Sequence, residues 1–325
     1  MVASMKILLL REAADRIGDD IADIAPGAEL VIIEHDASTT GDPDDIEIIY
    51  WGTGATRDRR ARTFLASWND RSLRWVQGPN AGYDHPIWMD LLDREVTFTR
   101  AAGIWVEPMA QYVHAWILAW SQGLAGQIDR SRAREWTKVM PDDLTARTIG
   151  IIGFGGIGRP TARIARALGM RVIATRRTPG PAPDVDHMHP PDQLHEVLAA
   201  ADYVVLCTPL TDDTHDLIGA AEFAAMGPGT VLINVARGEI VDEDALIAAL
   251  ERGTIRGATI DVTRTEPLPA DSPLWAAPNL VITAHQSGDG PRSDKRLDAL
   301  FLENLDRYTD GRPLRNVVVR DAPER

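Results

Sequence analysis

Short apolar runs separated by polar, helix-forming stretches recur along the whole chain. Lys6–Leu10, Glu29–Ile33, Ile46–Tyr50, Leu73–Gln77 and Val96–Thr99 form a first series, with Thr63–Ala66 helical in character between them. Runs this short, rich in branched and aromatic residues, predict buried parallel strands. A second series follows at Thr148–Ile152, Arg171–Ala174, Tyr203–Cys207, Val231–Asn234, Ala258–Asp261 and Leu280–Thr283. Helical segments separate most of these, among them Leu194–Ala200 and Asp242–Leu250. Strands alternating with helices predict an α/β protein with parallel sheets. Between the two series, Pro108–Gly126 carries Met109, Val113, Ile117, Leu118 and Trp120 mostly on one side of a long helix. The basic stretch Arg130–Trp136 after it reads as an exposed helix or arm, and Asp294–Tyr308 as one more helix.

The second series opens on the most informative stretch. Thr148–Ile152 leads into Gly153-x-Gly155-x-x-Gly158, and Pro160–Leu168 then follows at helical spacing up to Gly169. Strand, glycine turn and helix together predict a dinucleotide site. Gly153 permits the tight turn, Gly155 lets backbone approach a pyrophosphate, and Gly158 lets helix and strand pack closely. Gly156 and Ile157 complete the turn. The expected architecture is therefore two doubly wound parallel-sheet domains. A Rossmann domain, residues 99–288, is inserted in a flavodoxin-like domain made of 1–98 and 289–325.

The next strand end predicts which dinucleotide. Arg171–Ala174 runs into Thr175-Arg176-Arg177. NAD enzymes normally place an acidic residue there to hold the ribose 2′-hydroxyl. Arg176 takes that position here, with no carboxylate beside it. Guanidinium groups attract a 2′-phosphate, so NADP is the expected cofactor, with NAD possible as well.

Composition narrows the class. At 325 residues there is room for two cores. A net charge of −14 argues against a nucleic-acid partner and against an anionic membrane surface. The single cysteine, Cys207, rules out an intramolecular disulfide and points to a reducing, cytoplasmic setting. The apolar run Lys6–Leu10 is too short for a signal-peptide core, and no stretch reaches the length of a membrane helix. His187-Met188-His189 stands among prolines in an expected loop with no cysteine or carboxylate cluster, so no metal site is expected.

Three polar groups fall just beyond the last strands, where open α/β sheets bind ligands. Arg237 follows Val231–Asn234, Glu266 follows the strand ending at Asp261, and His285 follows Leu280–Thr283. An arginine grips a planar carboxylate, a histidine exchanges a proton near neutral pH, and a neighbouring carboxylate favours its imidazolium. The set suits hydride chemistry on a 2-oxo or 2-hydroxy acid. Each residue alone also has an ordinary reading, as a surface arginine, loop glutamate or buried histidine.

Several motifs together resemble the D-isomer-specific 2-hydroxyacid dehydrogenases. They are Gly153–Gly158, Thr208-Pro209-Leu210-Thr211-Asp212-Asp213-Thr214, Ile233–Asp242 with Arg237 inside it, Gly257–Val262 running into Glu266–Pro269, and Thr283-Ala284-His285. The resemblance spans nearly the whole chain. Within the family it points to a glyoxylate/hydroxypyruvate reductase-like branch that prefers NADP. It implies that Arg237 holds the substrate, His285 is the acid/base and Glu266 pairs with it. It implies that Ala81 and Gly82 present backbone amides to the substrate carboxylate. It further implies cofactor contacts from Cys207, Thr208, Pro209, Val235 and Ala236, and places Asp261 near the nicotinamide. A small 2-oxo or D-2-hydroxy acid is the implied substrate, and a homodimer the implied assembly. Relatives of the family that act as nucleotide-sensing co-repressors supply the competing expectation, a non-enzymatic binding protein. Gln111 in place of Glu, Ala284 in place of Pro, and Thr263-Arg264 in place of Phe-Glu depart from the usual pattern and bear on substrate choice.

Overall fold

The computed structural model describes residues 5–52, 72–82, 88, 92–94 and 96–319. The chain divides into two units, one of residues 1–105 with 290–325, the other of residues 106–289.

The first unit contains β1 (Lys6–Leu10), α1 (Arg11–Ile24), β2 (Glu29–Ile33), β3 (Thr39–Thr40), β4 (Ile48–Tyr50), β5 (Trp75–Gln77) and β6 (Thr97–Thr99). The sheet order is β3-β2-β1-β4-β5-β6, with only β3 antiparallel. Without β3 this is the flavodoxin-like order. α1 lays Ala13, Ile17 and Ile21 against the sheet, one residue per turn. The final helix, Ser293–Thr309, returns to the same core through Leu297, Leu300, Phe301 and Leu305. Phe301 stacks on Tyr50 and Trp75, at centroid distances of 4.3 and 5.3 Å. The Arg16 guanidinium grips Asp298 with two hydrogen bonds of 2.7 and 3.0 Å. Those contacts explain why the chain end belongs to the first unit. The sequence did not signal α1, and the helical stretch Thr63–Ala66 lies outside the described residues. The expected boundary at residue 98 falls inside β6, and the units divide after Trp105.

The second unit contains α2 (Val106–Gln122), α3 (Leu124–Arg132), β7 (Thr148–Ile152), α4 (Gly158–Ala167), β8 (Arg171–Thr175), β9 (His187–His189), α5 (Leu194–Ala200), β10 (Tyr203–Leu206), α6 (Ala220–Ala225), β11 (Val231–Asn234), α7 (Glu243–Glu251), β12 (Gly257–Ile260) and β13 (Leu280–Ile282). Its seven-stranded sheet runs β13-β12-β11-β10-β7-β8-β9, all parallel. This is the Rossmann order, and its reversal lies between β7 and β10. One sheet face packs Ile149, Ile151, Val205 and Ile233 under Val113 and Ile117 of α2. The other packs Ile152, Val204 and Leu232 under Val197, Phe223 and Leu246.

Two expectations change here. The helix expected over Pro108–Gly126 is two helices, because Gly123 adopts a left-handed φ of +59° between α2 and α3. The segment His187–His189, expected as a loop, is the edge strand β9 on β8, where flanking prolines do not interrupt the ladder.

Candidate active site

The glycine turn joins β7 to α4 at the point where the strand order reverses. Gly153 has a φ of +94°, and a Cβ there would lie 2.7 Å from both Cα and N of Thr208. Glycine is required on both counts. Thr175 sits buried beneath the turn: its hydroxyl accepts from the Gly153 N–H at 3.1 Å and its carbonyl from the Phe154 N–H at 2.7 Å. The N–H groups of Gly156, Ile157 and Gly158 donate to no group among the described residues. Gly155 and Gly156 are exposed. Open amides at a helix N-terminus fit the diphosphate of a dinucleotide. Arg159 adds a cation at this turn that the sequence reading missed, its guanidinium 5.4 Å over the Phe154 ring. Its place directly after the third glycine was the available signal.

Arg176 and Arg177 are exposed beyond β8, and neither pairs with a carboxylate among the described residues. The Arg176 N–H donates to the carbonyl of His189 at 3.0 Å, so β9 fixes the backbone of this strand end. Beyond β10, the Cys207 N–H donates to Ile152 at 2.8 Å, and Thr208 lies against Gly153. Burial pushes the Cys207 thiol up to about 12, which keeps it protonated and unreactive at neutral pH. Pro209 follows, and its carbonyl accepts from the Thr214 hydroxyl at 2.7 Å.

Arg237 emerges from a shaped turn. The Asn234 side chain accepts from the Ala236 N–H at 3.0 Å and donates to the Arg237 carbonyl at 2.9 Å. Val235 and Ala236 are buried within that turn. The half-buried Arg237 side chain donates to the Ala236 carbonyl at 2.8 Å. Gly238 then passes so close to Thr263 and Arg264 that a Cβ would lie 2.0 Å from the Thr263 carbonyl carbon. The turn after β11 and the turn after β12 therefore share one backbone contact.

Glu266 and His285 meet across that second turn. His285 Nδ1 donates to Glu266 Oε2 at 2.8 Å, and the Thr263 N–H donates to Glu266 Oε1 at 3.2 Å. Burial alone raises the Glu266 carboxyl. The hydrogen bond and charge of His285, the Thr263 N–H and the charge of Arg237 outweigh it and hold Glu266 below the usual carboxylate range. His285 has a left-handed φ of +49°, a strained conformation for a non-glycine residue. Asp261 holds it there. The Asp261 carbonyl accepts from the His285 N–H at 2.8 Å. Its buried carboxylate accepts from the Thr283 hydroxyl at 2.6 Å, the Gln286 N–H at 2.9 Å and the Ser287 N–H at 2.7 Å. The Tyr112 hydroxyl of α2 completes the chain by hydrogen bonding to Thr283. Asp261 thus clasps both flanks of the histidine, a role its position in the motif did not reveal. Gln111 and Ala284 are exposed near these groups in sequence. Ala81 and Gly82 lie beyond β5 of the first unit, where the Ala81 carbonyl accepts from Arg100 at 3.4 Å.

Known proteins resemble this chain in sequence and in fold. The model of the D-isomer specific 2-hydroxyacid dehydrogenase family, NAD binding domain, matches residues 114–287. A glyoxylate/hydroxypyruvate reductase B of Citrobacter koseri is 35% identical over 76% of this chain and 78% of its own length. The crystal structure of a D-isomer specific 2-hydroxyacid dehydrogenase family protein from Aeromonas salmonicida superposes with a TM-score of 0.82. It is 29% identical and covers 97% of this chain and 99% of that one. A D-isomer specific 2-hydroxyacid dehydrogenase from Xanthobacter autotrophicus, solved with NADPH and MES, gives a TM-score of 0.77 at 28% identity, over 97% of this chain and 98% of that one. By motif, family match and fold, the chain belongs to the D-isomer-specific 2-hydroxyacid dehydrogenases.

Proposed function

We propose that this protein reduces a small 2-oxo acid of the glyoxylate or hydroxypyruvate kind to its D-2-hydroxy acid, using NADPH. The observation that carries the reading is the His285–Glu266 hydrogen bond at 2.8 Å, with the charge of Arg237 acting on the same carboxylate. With Nδ1 committed to Glu266, the other ring nitrogen of His285 is the one that serves the substrate oxygen. Glu266 holds the ring in place through Nδ1, and the ring donates a proton as the 2-oxo oxygen gains charge. Arg237 holds the substrate carboxylate through its planar fork. A nicotinamide cofactor bound at the glycine turn would supply the hydride for the 2-carbon. The amides of Gly156, Ile157 and Gly158 hold its diphosphate, and Arg176 and Arg177 hold the 2′-phosphate. The NADPH bound in the Xanthobacter autotrophicus relative and the reductase name of the Citrobacter koseri relative support this choice.

The assembly we propose is a homodimer built on the second unit. Leu118 of α2, Leu124 and Ile128 of α3, and Trp136, Val139 and Met140 of the following arm are all exposed. Large apolar side chains exposed along one stretch of chain favour burial against a second copy. The setting is the cytoplasm, supported by the single cysteine and the acidic charge. Among the described residues no helix is long and apolar enough to cross a membrane.

The test is initial-rate oxidation of NADPH and of NADH against glyoxylate, hydroxypyruvate, phenylpyruvate and branched 2-oxo acids. Turnover with at least one small 2-oxo acid is expected, faster with NADPH. No oxidation with any of them removes the reading. Sedimentation at micromolar concentration should show a dimer, and a monomer there removes the assembly.

A further inference from the structure

Arg264 lies in the turn between Asp261 and Glu266, at one of the positions where the sequence departs from the family's usual residues. Its Nε and Nη2 both donate to the Val241 carbonyl, at 3.1 and 2.9 Å. Nη2 also forms an ion pair with Asp216. The Arg264 N–H donates to Glu243 Oε1 at 2.8 Å. Val241 closes the turn that follows Arg237, and Asp216 belongs to the loop beyond β10. The Asp216 N–H donates to Glu239 at 2.9 Å, and His215 Nδ1 lies 3.1 Å from the Asp216 carboxylate. One guanidinium therefore ties together the loops that follow β10, β11 and β12.

Its neighbours transmit that anchor to the reacting groups. The Thr263 N–H, one residue back, donates to Glu266, and the Thr263 hydroxyl donates to the Thr265 carbonyl at 2.9 Å. Gly238, next to Arg237, packs its backbone on that of Thr263 and Arg264. Thr265, Glu266 and Pro267 are exposed, so apolar packing does little to fix this turn. A hydrogen-bonded pair on such a turn depends on whatever polar anchor the turn has.

We propose that Arg264 is a positioning residue: it locks the 263–266 turn so that Glu266 stays on His285 and in register with Arg237. Two acceptors in different directions require the planar fork, which a lysine does not supply. The inference rests on the proposed acid–base role of Glu266 and His285.

The experiment measures the reduction of the best 2-oxo acid by wild type, Arg264→Ala, Arg264→Lys, Glu266→Gln and the double variant Arg264→Ala/Glu266→Gln. Each is followed across pH, with NADPH affinity read by fluorescence titration. Arg264→Ala should lower turnover about tenfold, within the range that small misplacements of a reacting group cause. Its pH profile should move in the same direction as that of Glu266→Gln, because both changes loosen the carboxylate that His285 Nδ1 hydrogen bonds. NADPH affinity should be unchanged, and Arg264→Lys should recover only part of the loss. Added to Glu266→Gln, Arg264→Ala should cost less than about twofold more, since residues acting through one another are not additive. A wild-type rate and pH profile in Arg264→Ala, or losses that multiply independently in the double variant, overturn the proposal. An impaired Glu266→Gln with a silent Arg264→Ala defeats only this proposal, whereas a silent Glu266→Gln defeats the acid–base assignment and the proposal together. If Arg264→Ala does not fold, Asp216→Asn, which weakens the ion pair and leaves the hydrogen bonds to Val241 in place, should shift the profile in the same direction by less. A wild-type profile there overturns the proposal equally.

Discussion

The two units share a doubly wound plan, but they treat the start of the helix that follows their first strand in opposite ways. In the first unit, β1 runs straight into α1: Leu10 ends the strand and caps the helix without any side-chain hydrogen bond, and Arg11 is already helical. Arg11 pairs with Asp15 and with Glu34, the residue just beyond β2. A cation stands at the helix N-terminus, and the acid at the second strand end is spent on it. In the second unit, residues 153–157 intervene between β7 and α4, the turn leaves three amides open, and Arg176 and Arg177 stand beyond β8 with no acid beside them. Topology marks where a crevice forms, and local chemistry decides whether an anion can sit in it. The first unit ties its first and second strand ends together with its own ion pair, and the second leaves amides and cations open at the corresponding ends.

The strongest way to break this contrast is to remove the proposed proton donor from the second unit. His285→Ala should cut turnover by about 10²–10⁴ while NADPH affinity survives, because the glycine turn is untouched. Near-normal turnover would show that the strand ends of this unit do not carry the chemistry. Gly153→Ala attacks the other half of the site. Its Cβ would meet the Thr208 backbone at 2.7 Å from a φ of +94°. Strain of this kind costs about 1–3 kcal/mol, and relieving it must move the turn. Thermal denaturation should record the loss, and fluorescence titration should show weaker NADPH binding. An unchanged affinity would mean that the turn does not cradle the diphosphate.

Arg176→Asp sharpens the contrast by giving the second unit an acid at its second strand end. A hydrogen bond to a charged group is worth about 1.5–3 kcal/mol, which corresponds to roughly tenfold or more in affinity. The ratio of kcat/KM with NADPH to that with NADH should fall by at least that factor. A ratio that does not move would show that Arg176 does not read the 2′ position.

What the sequence disclosed follows the range over which each feature acts. Gly153–Gly158, Arg237, Glu266 and His285 were legible because each lies inside a short motif at a strand end. α1 was not, since Glu12, Asp15, Arg16, Asp19, Asp20 and Asp23 dilute its apolar stripe and no capping side chain announces its start. The break at Gly123 was hidden because apolar residues continue on both sides of it. The Asp261 clasp and the Arg264 anchor were beyond reach, for they join residues 20 or more positions apart along the chain, as the Asp261–Ser287 and Arg264–Asp216 separations of 26 and 48 residues show. No local pattern encodes such a pairing. It becomes visible only when the strands bring the loops to one edge of the sheet.

The smallest expected effect belongs to the ion pair that closes the first unit. Both Glu34 and Glu266 are held below the usual carboxylate range, but for different ends. For Glu34 the cause is foremost the hydrogen bond from Arg11, opposed by burial and helped by the charge of Arg11. A carboxylate whose pKa is lower in the folded state stabilises the fold above its ordinary pKa, and that contribution disappears as pH falls through the lowered value. The pair is only partly buried and lies open to solvent on one side, so the contribution is small. Glu34→Gln should therefore lower the melting temperature slightly at neutral pH, with the difference from wild type vanishing in acid below the lowered carboxyl. Turnover and NADPH affinity should not change. Glu266→Gln should do the reverse, moving the pH profile of the reaction with little effect on melting. If Glu34→Gln were instead to weaken NADPH binding, the first unit's second strand end would have to take part in ligand binding, and the division of labour between the two units would fail.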